Sequence, residues 1–196
     1  MKKWFLFAAV LFGVWMCARP APDGHWSGRP GIEPVQTSAS LPPPWTRDGF
    51  TYQPLARFTV KAVVLARERY RNDQGAKLAP VDFALGWGAM SESRVINALS
   101  ISQDHRWYNY SWSGEPPIDP SEIGRSSANM HMIPANPAVR AGLLEVKRHE
   151  LVEFSGYLVE IRRADGWHWR SSTSREDTGG GACEVVWVEA VAHRPL

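Results

Sequence analysis

The chain has 196 residues, a 44% hydrophobic share and a formal net charge of +2, with an isoelectric point near 8.6. That length suits one domain with appendages. So mild a charge argues against a nucleic-acid ligand, which calls for a clustered basic face, and no nucleic-acid partner is expected.

Lys2 and Lys3 precede an uncharged run from Trp4 to Met16, a basic start followed by an apolar segment as in an export signal. The run is shorter than the roughly 20 residues that span a bilayer comfortably. Val14, Trp15 and Met16 are bulky where cleavage needs small residues, so residues 1–18 read as a signal peptide or as an uncleaved hydrophobic anchor helix. The same bulk before Cys17 counts against lipidation. The lysines stay in the cytoplasm and the rest crosses. The protein is then expected on the periplasmic face of the inner membrane, anchored through its N-terminus, or in the periplasm after cleavage. Residues 19–49 shift to Pro, Gly, Ser and Ala and read as a semi-extended linker. The folded domain is expected over residues 50–196.

Within it the dominant period is two. In 57-RFTVKAVVLAR-67, Phe58, Val60, Ala62 and Val64 share one face, as in a strand. The cluster 72-NDQG-75 turns the chain, and the apolar run 81-VDFALGWG-88 follows Pro80. Ser91 caps a short helix over 92–99, strands follow at 99–103 and 106–112, and Asn136 before Pro137 starts a second helix near 138–144. In 151-LVEFSGYLVEIRR-163 the apolar phase changes from Val152 and Phe154 to Tyr157, Val159 and Ile161, which predicts a β-bulge at Gly156. The loop 164-ADG-166 suits a three-residue hairpin turn that sets Ile161 opposite Trp169 and Glu160 opposite Arg170. The last strand runs over 183–191, with Cys183, the domain's only thiol, as a small buried residue at its start, or else a nucleophile or an intermolecular partner. Short strands with Pro- and Gly-rich connections and one or two short helices predict a mainly β fold, a small antiparallel barrel similar in architecture to an OB-fold.

Three stretches together, 81-VDFALGWGAMS-91, 127-SANMHMIPA-135 and 167-WHWRSSTSREDTGGGACEVVWVE-189, resemble a family of exported, membrane-anchored bacterial proteins. The likeness runs from about Phe58 to Glu189. It implies a protein of the bacterial envelope, and it implies no activity, cofactor or catalytic residue.

Chemistry concentrates in two segments. The run 170–184 holds Arg170, Ser172, Arg175, Asp177 and Glu184, whose charges nearly balance. It reads either as a solvated turn or as a polar recognition patch in which Arg175 grips a carboxylate or phosphate. Asn129 and His131 in 126-SSANMHMIPAN-136 complete that patch. The expected function is a membrane-tethered envelope binding or assembly module without catalytic activity, whose partner is another envelope protein or a small polar ligand. One alternative is a hydrolase built from Ser172 or Ser174, His131 or His105, and Asp177, with amides around Gly179–Gly181 as oxyanion donors. Another is a copper(I) protein using Met130 and Met132, although His131 lies between them and points away. The six histidines are scattered without a zinc-binding spacing, so no metal or other cofactor is expected in the leading reading.

Overall fold

The computed structural model describes residues 25–72, 75–174, 176–177 and 181–196. The expected signal or anchor (1–18), part of the expected 72–75 turn, and Arg175 with Thr178–Gly180 lie outside the described residues. Among the described residues, no helix is long and apolar enough to cross a membrane.

In chain order the elements are β1 (Ile32–Thr37), β2 (Trp45–Arg47), β3 (Phe50–Arg69), β4 (Val81–Gly86), a 3-10 turn (Gly88–Ser91), α1 (Ser93–Asn97), β5 (Ser100–Asp104) and β6 (Trp107–Ser111). There follow α2 (Pro120–Arg125), β7 (Ser127–Pro134), α3 (Pro137–Glu145), β8 (Glu150–Arg163), β9 (His168–Arg170) and β10 (Glu184–Pro195). The fold is mainly β, as expected. β3 pairs with β4, β4 with β7, β7 with β10, β10 with β8, and β8 with β3 again, so five strands form a closed cycle of pairings. β7 and β10 run parallel, which corrects the all-antiparallel expectation. Between them the chain passes through α3, β8 and β9, a connection long enough to return a strand in the same direction. Local periodicity carries no trace of that parity.

Inside the cycle Phe58, Val60, Phe83, Leu85, Met130, Met132, Phe154, Leu158 and Val186 form the main core. Met130 and Met132 are fully buried there, so the two thioethers of the copper alternative fill the core and open onto no cleft. Val139 and Leu143 of α3 join the same cluster. The helix starts as expected, with the Asn136 side chain accepting from the Val139 N–H at 3.0 Å. A second Asx-Pro start, Asp119 before Pro120, opens α2, whose first turn it caps through the Ser121 N–H at 2.8 Å. Ser91 is no cap for α1. It closes the preceding 3-10 turn by donating to the Gly88 carbonyl at 2.8 Å, and Glu92 takes the N-cap position without a side-chain bond.

The β8–β9 hairpin has the expected register, Ile161 opposite Trp169 and Glu160 opposite Arg170, and Gly166 takes a positive φ of 92°. The bulge expected at Gly156 is absent from β8. The irregularities sit in its neighbours, between Val188 and Ala190 of β10 and between Pro54 and Ala56 of β3. Phe154, Gly156 and Leu158 keep one phase toward the core, while Tyr157, Val159 and Ile161 belong to a second cluster on the outer face. The apparent slip of phase is therefore a strand buried on both faces. Gly156 is required for a different reason. A Cβ there would stand 1.8 Å from the Trp187 carbonyl oxygen.

Residues 25–49, expected as linker, include two strands that pair along β3. β1 is almost wholly exposed, and an edge strand without a buried face has no hydrophobic alternation to reveal it. Trp45 of β2 stacks on Tyr52 at 5.7 Å and meets Trp187 edge-on at 5.1 Å. With Trp167 and Trp169 packed against the same cluster, this outer aromatic layer accounts for part of the chain's tryptophan content. A third cluster lies under the β5–β6 hairpin, where Leu65, Met90, Ile96 and Ile123 are covered by Tyr108, Tyr110 and Trp112.

Candidate functional site

Asp82 is the single charge in the buried strand β4, and it is fully buried. Register places it directly opposite His131 of β7, on the face away from the main core. Its Oδ2 lies 2.8 Å from His131 Nδ1 and its Oδ1 accepts from Arg106 at 3.0 Å. A buried carboxylate persists only when paired and hydrogen-bonded, and here two cationic side chains share it.

Arg106 arrives from the tip of the β5–β6 hairpin. The two-residue turn is His105-Arg106, with φ of 50° and 66°. Such turns need positive φ at both centres, which Asn and Gly supply cheaply and other residues do not. Arg106 is fastened from all sides. Its backbone N–H donates to Tyr70 Oη at 2.8 Å, its guanidinium donates to the Ala79 carbonyl at 3.2 Å, and its own carbonyl accepts from Asn129 Nδ2 at 2.9 Å. The guanidinium also lies 4.0 Å from the Tyr70 ring centre and 5.4 Å from that of Trp169. Burial, with the Asp82 charge adding to it, pushes the Tyr70 hydroxyl well above the usual tyrosine range.

Cys183 completes the group. It immediately precedes Glu184, which pairs with Met130, so it stands beside Asn129. Asn129 Nδ2 is 3.5 Å from its Sγ, and Asn129 Oδ1 accepts from Gln103 at 2.5 Å. His131 has the Cys183 side chain as its second polar partner and the Trp169 ring against it at 4.7 Å. Burial, the largest single influence, pushes the His131 imidazole down. The hydrogen bond to Asp82, that to Cys183, and the charges of both outweigh it and push the imidazole up to about 9.

Above the thiol lies a pocket of about 200 Å³. Trp107, Tyr108 and Tyr110 of β6 form one wall, Ser127 and Asn129 of β7 the floor, and Ser174, Asp177, Cys183 and Glu184 the other wall. Trp107 is 48% exposed. The second wall is held in place by its ends, since the Ser172 N–H donates to the Cys183 carbonyl at 3.1 Å and the Val185 N–H to Ser171 Oγ at 3.0 Å. Within the loop Ser172 Oγ donates to Asp177 at 2.6 Å.

Of the residues expected to form a patch, Asn129, Asp177 and Glu184 line this pocket, His131 lies behind Cys183, and Ser172 supports the wall through Asp177. Arg170 is elsewhere. It pairs with Glu160 at 2.5 Å in the β8–β9 hairpin. Arg175 lies outside the described residues. The serines of the hydrolase alternative are not the groups beside His131. Ser172 is committed to Asp177, His105 is exposed and paired with Asp104, and the group that meets His131 is Cys183. Sequence reasoning missed Asp82 and Arg106. One signal was legible for the first, an acid inside an apolar run. Among the described residues no group of three or more His, Cys, Asp or Glu has the arrangement of a metal site.

Comparison with protein-family models, with curated proteins and with solved structures gave no match.

Proposed function

We propose that this chain is a membrane-tethered binding module of the bacterial envelope that holds a small polar ligand in the pocket between β6, the start of β7 and the 172–184 loop. The observation that carries the reading is convergence. Segments some 75 residues apart in sequence meet around one cavity, and they bring an exposed Trp107, two tyrosines, an amide and two carboxylates. Aromatic faces take the C–H face of a sugar or an apolar ring, and carboxylates with an amide accept and donate to hydroxyl or amino groups. A polyhydroxylated or amino-bearing ligand fits that set better than an anion. The pairing cycle β3-β4-β7-β10-β8-β3, with α3 between β7 and β8 in the chain, supports an OB-like barrel. In such barrels the face of the second and third strands and the loops flanking it bind ligands. Asp82, Asn129 and His131 occupy that face here, and the 171–183 connection is one of those loops.

The experiment is titration of the full-length chain in detergent with soluble muropeptides released from cell-wall peptidoglycan, followed by tryptophan fluorescence. Saturable quenching is expected, lost in Trp107→Ala and weakened roughly tenfold or more in Asp177→Asn, as for loss of one charge-assisted hydrogen bond. Absence of quenching, or quenching that both variants retain, refutes the ligand reading. Envelope placement is tested separately, by protease accessibility of the domain in spheroplasts but not in intact inverted vesicles.

A further inference from the structure

The proposed ligand uses the upper part of the pocket and leaves unexplained why its floor carries a thiol beside a histidine that is itself anchored to a buried aspartate. We propose that Cys183 is a nucleophile for acyl transfer, with His131 as its acid–base partner, Asp82 orienting the imidazole, and an ester or thioester as the substrate class. The geometry has the three parts that such chemistry requires. The base and the nucleophile are neighbours, since Asn129 and His131 lie two residues apart on one face of β7 and Asn129 Nδ2 is 3.5 Å from the Cys183 sulfur. Asp82 fixes His131 through Nδ1 at 2.8 Å, which directs the other ring nitrogen away from the carboxylate. A donor for the oxyanion is present as well. Asn129 Nδ2 carries two protons, of which one goes to the Arg106 carbonyl at 2.9 Å and the other faces the sulfur at 3.5 Å. An acyl carbon bonded to that sulfur would place its oxygen within reach of the second proton.

The step balances without any further reagent than water. With the proton of Cys183 transferred to His131, the sulfur adds to the acyl carbon. The tetrahedral oxyanion collapses, and the alcohol or thiol leaves with the proton of His131. Water then gives a proton to His131 while its oxygen adds to the thioester carbon. The carboxylic acid leaves, and the sulfur recovers its proton. The groups that face His131 from the elements around it are Asp82 of β4, Cys183 ahead of β10, Trp169 of β9 and, across Asp82, Arg106 of the hairpin with Tyr70 behind it. Arg106 holds the carboxylate from its other oxygen, so Asp82 stays oriented while the imidazole gains and loses its proton.

This inference rests on the pocket reading, and its test separates the two. The full-length chain is incubated with p-nitrophenyl acetate and, in parallel, with iodoacetamide. Intact mass and peptide mapping locate the adducts. The expected result is a stoichiometric p-nitrophenol burst with the acetyl group on Cys183. Cys183→Ser should abolish the burst. Asn129→Ala should slow the burst about a hundredfold, the usual loss for one oxyanion donor, while iodoacetamide labelling, which forms no oxyanion, stays within about threefold. His131→Gln should slow the burst about a hundredfold or more, as for loss of an acid–base partner, and where that variant fails to fold, Asn129→Ala carries the test. No acetyl adduct on Cys183, or a burst that Cys183→Ser retains, overturns the inference. Retained quenching in that outcome leaves the binding module standing, and lost quenching with an intact burst does the reverse.

Discussion

The His131–Asp82 pair makes stability depend on pH in a direction that can be worked out beforehand. The folded-state value of His131 lies above its ordinary value of 6.5, at about 9. A raised value means that the folded protein holds the proton more tightly than the unfolded chain. The contribution is therefore complete below about pH 6.5 and is lost as pH rises through about 9. At about 1.4 kcal/mol per unit, that difference amounts to about 3 kcal/mol. Asp82→Asn removes the charge and leaves an isosteric side chain that still accepts one hydrogen bond. It should cost about 3–5 kcal/mol at about pH 6, where two buried cationic side chains lose their carboxylate. It should also flatten the pH dependence, because burial then acts on His131 with only Cys183 opposing it. The assay is guanidinium denaturation of both proteins, followed by tryptophan fluorescence, at a series of pH values from about 6 to about 9.5. Groups that titrate alike in both chains cancel in the difference curve. A wild-type stability that is level or rises over that range, or a variant with an unchanged slope, would refute the assigned ion pair.

Gly156→Ala puts a Cβ 1.8 Å from a backbone oxygen of the neighbouring strand, and should cost well over about 3 kcal/mol or give no folded protein, as read by denaturation or by loss of soluble chain. Asn136→Ala removes the α3 cap and should lower unfolding free energy by about 1 kcal/mol. His105→Gly relieves a left-handed φ of 50° at an exposed tip and should change stability by less than about 1 kcal/mol, upward if relief of strain exceeds the added freedom of the unfolded chain. Arg170→Ala should cost only about 0.5–1 kcal/mol at neutral pH, since its guanidinium is largely in solvent. Glu160 is held below the usual carboxylate range by Arg162 first and then, against burial, by Arg170, so that cost should vanish in acid as Glu160 gains its proton.

What the sequence disclosed divides along physical lines. The β8–β9 hairpin was legible to the residue because three local signals agree there: period-two alternation, a glycine at the positive-φ position, and an acid opposite a base. The α3 start was legible for the same reason, and the identical Asp119-Pro120 signal at α2 was open to the same reading. Strand order and the parallel β7–β10 pair were not legible, because parity is fixed by how long connections return and leaves no mark on alternation. Gly156 misled because a strand buried on both faces imitates a slip in phase. For the site, Asn129, His131, Asp177 and Glu184 could be named from two polar segments, since these residue types in one loop and one strand are already unusual. Their partners Arg106 and Asp82 came from places with no such concentration, while Cys183 lay within the first of those segments. Arg106 sits at a hairpin tip that looks like an ordinary polar turn, and Cys183 looks like a small residue at the head of a strand. Asp82 alone left a trace, because a charge within a continuous apolar run must be paired once that run is buried.

The same residues explain why the hairpin tip tolerates its geometry. Two successive non-glycine residues in the left-handed region cost of order 1–3 kcal/mol each and persist only where the surroundings over-determine them. At Arg106 the surroundings are Asp82, Tyr70, Ala79 and Asn129, which are the pocket floor and its support. Strain at the tip and order in the site are thus balanced against each other. The β5–β6 hairpin pairs Arg106 with Asp82, presents the carbonyl that accepts from Asn129, and lines the pocket of Cys183 with Trp107 and Tyr108. A change that loosens Arg106, such as Arg106→Lys with its single ammonium in place of the guanidinium fork, should therefore disturb His131, Asn129 and the aromatic wall together. If a chemical-shift map of that variant moved the hairpin and left the His131 ring and the Cys183 amide in place, the tip would be an ordinary turn that happens to touch the site.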